Sequence, residues 1–127
     1  MKKQDLPLSP HLQIYKPQIT SLLSISHRIS GVALNFVLVI LVLGLLCITL
    51  GESYFELLIS LITSFPIKII IFLAILGFSY HFLNGIRHII WDFGFLLGNR
   101  SSAIFGYIII ATSFISSIFI SRLLGLF

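Results

Sequence analysis

Acidic side chains are scarce: Asp and Glu together number 4 in 127 residues, and all charged residues make up 9% of the chain. A soluble domain of this size could not cover its apolar surface with so few charges, which excludes a water-soluble fold. Cysteine is confined to Cys47, within a long apolar run. That excludes a disulfide framework and a Cys-x-x-Cys-His site, and leaves Cys47 as a small apolar filler. No internal repeat or low-complexity tract stands out. The first apolar run begins too far along the chain for a signal peptide and has no small-residue cleavage site after it, so it is expected to be an uncleaved anchor; an Arg/Ser-rich transit peptide is also missing. The net charge of +4 is small and dispersed. It bears on membrane topology and gives no support for nucleic-acid binding.

What the chain has in quantity is hydrocarbon, with 57% hydrophobic residues and a mean hydropathy of +1.11. A helix needs about 20 apolar residues to cross a hydrocarbon core of about 30 Å. Segments 22–50, 66–96 and 103–126 qualify. The expected fold is an all-α integral membrane protein with three transmembrane helices, forming one membrane-anchor domain within a larger helix bundle. Residues 1–20 carry Pro7, Pro10 and Pro17, which disfavour helix, so they read as a cytoplasmic arm. Segment 53–64 is apolar but too short to cross and reads as an outer interfacial half-helix. Thr20 or Ser21 can cap the first span, and Ser101 or Ser102 the third. Gly51 suits a C-cap, and Pro66 suits a first helical turn. Ser113, Ser117 and Ser121 recur every fourth position, as a close helix contact requires. Lys2, Lys3, Lys16 and Arg28 lie before or at the entrance of the first span, and Arg87 and Arg100 flank the second connection; Glu52 and Glu56 lie between spans one and two. The positive-inside rule then puts the N-terminus in the cytoplasm.

Against this background two polar faces stand out. Positions i, i+3, i+4, i+7 and i+11 share a helix face. On the first span these are Ser24, His27, Arg28, Gly31 and Asn35; on the second, from His81, they are His81, Asn84, Gly85, His88 and Asp92. Both sets end at the same membrane face, and His81 lies about 9 Å deeper than Arg87 at about 1.5 Å per residue. The two glycines leave room for something bulky. Together these residues describe a pocket open to the cytoplasmic interface.

An imidazole several residues inside a span must be hydrogen-bonded or metal-bound, and a b-type haem is a common solution for His81. His27 lies too near the headgroups to be the opposite axial ligand and, with Arg28, better suits anionic propionates. The chain is then one ligand short, which implies a helix from another subunit. Simpler roles stay open for the individual residues. Arg28 can snorkel to headgroups, and Arg87, off the stripe, can anchor topology or make a surface contact. His27 and His88 can make inter-helix hydrogen bonds, and Asp92 can pair with Arg87 or Arg28. A haem-free structural anchor is the competing reading. A transporter subunit ranks below both, because segments 37–46 and 67–76 are almost entirely apolar apart from Lys68.

The motifs Leu8-Ser-Pro-His-Leu-Gln-Ile-Tyr15, Ser24-x-x-His27-Arg28-x-Ser30-Gly31 and His81-x-x-x-Gly85-x-Arg87-His88-x-x-x-Asp92 resemble the cytochrome b556 membrane-anchor subunits of succinate dehydrogenase over essentially the whole chain. The resemblance implies a subunit of succinate:quinone oxidoreductase in which succinate is oxidised outside this chain, on the flavoprotein subunit. It implies a haem b shared with a second three-helix anchor subunit, with His81 as iron ligand from this chain and the other ligand from the partner. His27, Arg28, Gly31 and His88 fall in the haem environment. Ser24 and Arg28 line the ubiquinone site close to the iron–sulfur subunit, where Ser24 can donate to a quinone carbonyl and Arg28 can stabilise developing negative charge. Apart from the resemblance, quinone reduction takes up two protons, and Asp92 can help maintain a proton path. Lipid surrounds the bundle, and the missing transit peptide points to a bacterial inner membrane.

Overall fold

The structure, a computed structural model, describes residues 15–127. Residues 1–14, which include most of the expected arm and all of its Leu8–Tyr15 motif but Tyr15, lie outside that range. Four helices follow in order: α1 (Ile19–Thr49), α2 (Glu52–Thr63), α3 (Phe65–Asp92) and α4 (Asn99–Leu123). Helices α1, α3 and α4 are long and apolar enough to cross a membrane. At 1.5 Å per residue, the 31 residues of α1 extend about 46 Å and overshoot the hydrocarbon core. That leaves length for its polar first turns to extend past the apolar slab while the apolar stretch after them spans it.

The ends of the helices follow local chemistry that differs in part from the expected caps. Helix α1 starts at Ile19, immediately after the residue that follows Pro17, with Gln18 extended at the N-cap and no side-chain cap. The Ser21 hydroxyl instead accepts a hydrogen bond from Tyr15 at 2.9 Å. Gly51, at φ +117°, breaks the chain between α1 and α2 in a conformation open to glycine. Pro66 lies in the first turn of α3, as its missing N–H allows. Helix α3 stops at Asp92, four residues before the expected 96. Gly94 adopts φ +81°, and the Phe95 and Gly94 amides bond back to the Ile90 and Trp91 carbonyls. That is a Schellman ending. Helix α4 ends the same way, with Gly125 at φ +63° and Leu126 bonding to the Ser121 carbonyl. It begins at Asn99 with Gly98 as N-cap; neither Ser101 nor Ser102 caps it.

Packing is inverted relative to a soluble bundle. Helix α3 is central and contacts the other three helices. Among the described residues the buried apolar side chains are only Leu23, Ile109 and Leu126, whereas Ser79, Asn84, Arg87, Ser102, Ser113, Ser117 and Ser121 are buried polar ones. Along α4, Ser102, Gly106, Ile109, Ser113, Ser117 and Ser121 form one buried stripe. In lipid, apolar exterior surface costs nothing, and small residues let backbones approach closely. Ser113 and Ser117 return their hydroxyl protons to the carbonyls one turn back, at Ile109 and Ser113. The tightest point is Gly106, where an added Cβ would collide with the Leu23 side chain and stand 3.7 Å from the Arg87 guanidinium. Gly106→Ala is therefore expected to destabilise the bundle by about 1–3 kcal/mol, as overpacking does. A lowered thermal midpoint of the assembled membrane complex is the expected reading; an unchanged midpoint would show that α1 and α4 are not in this contact.

Candidate functional site

The polar faces of α1 and α3 meet where the two helices cross. The His27 and His81 rings stack with centroids 4.0 Å apart and planes 10° from parallel. Each ring also bonds to the other residue's backbone. His27 Nε2 lies 3.2 Å from the His81 carbonyl, and His81 Nδ1 lies 3.1 Å from the His27 carbonyl. A carbonyl oxygen only accepts, so both nitrogens carry protons. His27 thus spends its Nε2 on the helix contact. His81 is the Nδ1–H tautomer, its Nε2 keeps a lone pair, and that atom has no hydrogen-bond partner among the described residues.

Glycine makes this approach possible. A Cβ on Gly31 would stand 2.9 Å from His81 Cε1, and one on Gly85 would stand 3.9 Å from His27 Nε2. The glycines therefore admit the opposing imidazoles into the crossing. His88 continues the cluster, with its ring tilted 5.2 Å from His27 and edge-on to Trp91 at 5.1 Å.

The remaining candidates are divided among several faces. Ser24 is half-buried, and Arg28 and Asn35 are exposed on the flank of α1; Asn35 donates to the Gly31 carbonyl at 3.2 Å. Asp92, the last residue of α3, is exposed. Asn84, expected on the histidine face, is 0% exposed and turns toward α4 with Arg87. Arg87 itself is 1% exposed, so it is not a surface contact. Its guanidinium donates to the Ser102 carbonyl and hydroxyl, both at 2.9 Å, and to Asn84 Oδ1 at 3.3 Å, and it lies 4.1 Å over the Trp91 ring. Its partners are neutral acceptors and an aromatic face, and Asp92 is not among them. The i+4 position of His81, Gly85, stays against His27 in the α1–α3 seam, whereas the i+3 position, Asn84, is bonded to Arg87 on the α4 side, which splits the stripe.

Two residues that sequence reasoning left without a role complete the junction. Ser30 Oγ donates to the His27 carbonyl at 2.8 Å and stands 3.1 Å from His81 Nδ1. Tyr80 donates its phenol proton to the Leu23 carbonyl at 2.7 Å, tying α3 to the turn that precedes Ser24. Both lie one residue from an assigned position, but the His81 ring beside Ser30 and the carbonyl that Tyr80 reaches are on the opposite helix, which no single-helix pattern reveals. Deeper in the bundle, a groove of about 700 Å³ runs between α1 and α3 from Asn35 and Phe78, a turn below the histidines, past Leu38 and Leu41 to Ile70. Its walls are almost wholly apolar.

The fold and this junction define a class: a three-span membrane anchor whose polar residues gather where its helices meet. Residues 2–120 match the family described as the succinate dehydrogenase/fumarate reductase transmembrane subunit, and the chain belongs to that family. It is similar to the succinate dehydrogenase cytochrome b556 subunit of Rickettsia typhi, with 44% identity over 84% of this chain and 83% of the relative. The cytochrome b560 subunit of Chondrus crispus is 44% identical over 76% of this chain and 78% of that protein. That of Marchantia polymorpha is 44% identical over 75% and 73% respectively.

The Arg87 cluster yields a direct prediction. Arg87→Ala removes a buried side chain and strands Ser102 and Asn84, so it is expected to cost about 2–5 kcal/mol, as large-to-small core changes do. Reduced thermal stability and assembly yield of the complex would bear this out; a fully stable variant would mean that the guanidinium does not join α3 to α4.

Proposed function

We propose that this chain is the cytochrome-b anchor of a succinate dehydrogenase complex. It would provide one axial ligand to a haem b shared with a second three-helix anchor and form part of the ubiquinone-reduction site. The observation that carries the reading is His81. Its Nδ1–H is held by a backbone carbonyl and a serine, and its Nε2 lone pair is free. Metal-bound histidines characteristically donate the other ring nitrogen to such an acceptor, so the donor set fits a haem iron. Haem b, when bound, supplies one-electron redox chemistry to the complex.

The other residues follow from position. His27, stacked on His81 with Nε2 already committed, cannot also ligate through that atom. Only its Nδ1 is left, which donates to a propionate when the ring carries its second proton, beside Arg28, Gly31 and His88 at the same end of the bundle. Ser24 and Arg28, on the flank of α1, offer a hydroxyl and a guanidinium to the two carbonyls of a quinone. Reduction of the quinone needs two protons, and the exposed carboxyl of Asp92 lies at the polar end where water enters. The apolar groove below Asn35 suits an isoprenoid tail.

Succinate oxidation is assigned to a flavoprotein subunit, with an iron–sulfur subunit passing electrons to the quinone. The relatives are subunits named for succinate dehydrogenase, which favours succinate oxidation as the working direction. The basic residues Lys16, Arg28, Arg87 and Arg100 gather at the end where α1 and α4 start and α3 finishes, which favours placing that end in the cytoplasm of a bacterium, with α2 along the outer face.

In the complex assembled with its partner subunits, His81→Ala is expected to abolish the b-type haem signal in a pyridine haemochrome assay; an unchanged haem content and spectrum would remove His81 as the iron ligand, whereas absence of haem from the parent complex would leave only a structural anchor. Ser24→Ala and Arg28→Leu are expected to lower succinate–quinone turnover roughly 10-fold or more, the weight of one lost hydrogen bond of about 1.5 kcal/mol. Succinate oxidation with a soluble artificial acceptor should survive. Retained quinone turnover in both variants would remove them from the site.

A further inference from the structure

The contacts around His81 Nδ1 form a closed triangle. Ser30 Oγ is 2.8 Å from the His27 carbonyl and 3.1 Å from Nδ1, and Nδ1 is 3.1 Å from the same carbonyl. Two proton arrangements are conceivable. If Nδ1 were bare, the Ser30 proton would go to it. The ring's lone pair would then face the carbonyl oxygen at 3.1 Å, two acceptors in contact, and Nε2–H would project from the helix with no acceptor among the described residues. If Nδ1 carries the proton, it donates toward the carbonyl and the Ser30 oxygen together, while the hydroxyl donates to the carbonyl. All three contacts are then satisfied. Only the second arrangement exposes a lone pair at Nε2.

From this triangle we infer that Ser30 is a positioning residue for the proposed iron ligand, holding His81 in the Nδ1–H tautomer and setting how strongly its Nε2 donates. Among the described residues, Ser30 is the one side chain within hydrogen-bond distance of the His81 ring. The ring is packed over Gly31 and stacked on His27, so it has little room to turn. Ligand basicity in such sites depends on the acceptor opposite the bound nitrogen. The Ser30 hydroxyl acts on that acceptor twice, by sharing the Nδ1 proton and by polarising the carbonyl that receives it. Because the serine sits on α1 and the ligand on α3, a shift of one helix along the other changes the donor strength of His81.

This inference rests on the proposed role of His81, and the two can fail separately. In the assembled complex, Ser30→Ala is expected to keep haem stoichiometry and succinate oxidation with a soluble acceptor. The haem midpoint potential and the electron paramagnetic resonance spectrum of the ferric form should move. Ser30→Thr, which keeps the hydroxyl, should restore both. Should Ser30→Ala fail to assemble, Ser30→Cys carries the same measurement with a weaker hydrogen-bonding group of similar size. A potential and spectrum identical to the parent in the assembled variant would overturn the inference while leaving His81 as ligand. Retention of haem in His81→Ala would remove the ligand and the inference together.

Discussion

The structure depends on one contact: two imidazoles on crossing helices, stacked face to face, each giving an N–H to the other's backbone carbonyl. In water such bonds would be nearly neutral, because solvent competes for the same groups. Inside a membrane there is no solvent to compete, so every polar group that enters must find its partner in protein or in something the protein holds. His27 and His81 meet that condition for one ring nitrogen each. The crossing also fixes their close approach, since Gly31 lies beneath the His81 ring where any side chain would collide.

The rest of the bundle follows the same rule in other ways. The interior is lined with serine, glycine and one asparagine, and the large apolar side chains face outward over most of the surface. Arg87 is the extreme case, a guanidinium buried among neutral acceptors and an indole ring. A cation there is tolerated because Ser102, Asn84 and Trp91 surround it and Gly106 leaves it space. It joins α3 to α4, the histidine pair joins α3 to α1, and Tyr80 adds a third tie from α3 to the Leu23 turn. Helix α3 therefore sets the position of both neighbours, including the turns that carry Ser24 and Arg28.

Much of this was legible in the chain itself. Three apolar runs define three long helices, and the recurrence of Ser113, Ser117 and Ser121 identifies the buried edge of α4. The depth of His81 marks it as a residue with a special reason to be there. What was not legible depended on partners in space. A helical repeat assigns His81 and Asn84 to one face, but the α1–α3 seam is narrower than that face, so Asn84 turns toward α4. Arg87 reads as an ordinary basic flank unless Ser102 and Gly106 are known to lie opposite. Ser30 and Tyr80 have no periodic signature, because each acts on the other helix. The early ends of α3 and α4 were signalled by Gly94 and Gly125, residues suited to left-handed caps, but an apolar count runs straight through them.

The most direct test is a high-resolution density map of the assembled membrane complex around the α1–α3 crossing. The account predicts density joining His81 Nε2 to a haem iron, with Nδ1 still turned toward the His27 carbonyl and the Ser30 hydroxyl, and the opposite face of the iron met by a residue of another subunit. A map in which His81 Nε2 abuts lipid or ordinary side chains, or in which the ring is reversed so that Nδ1 points away from α1, would contradict it.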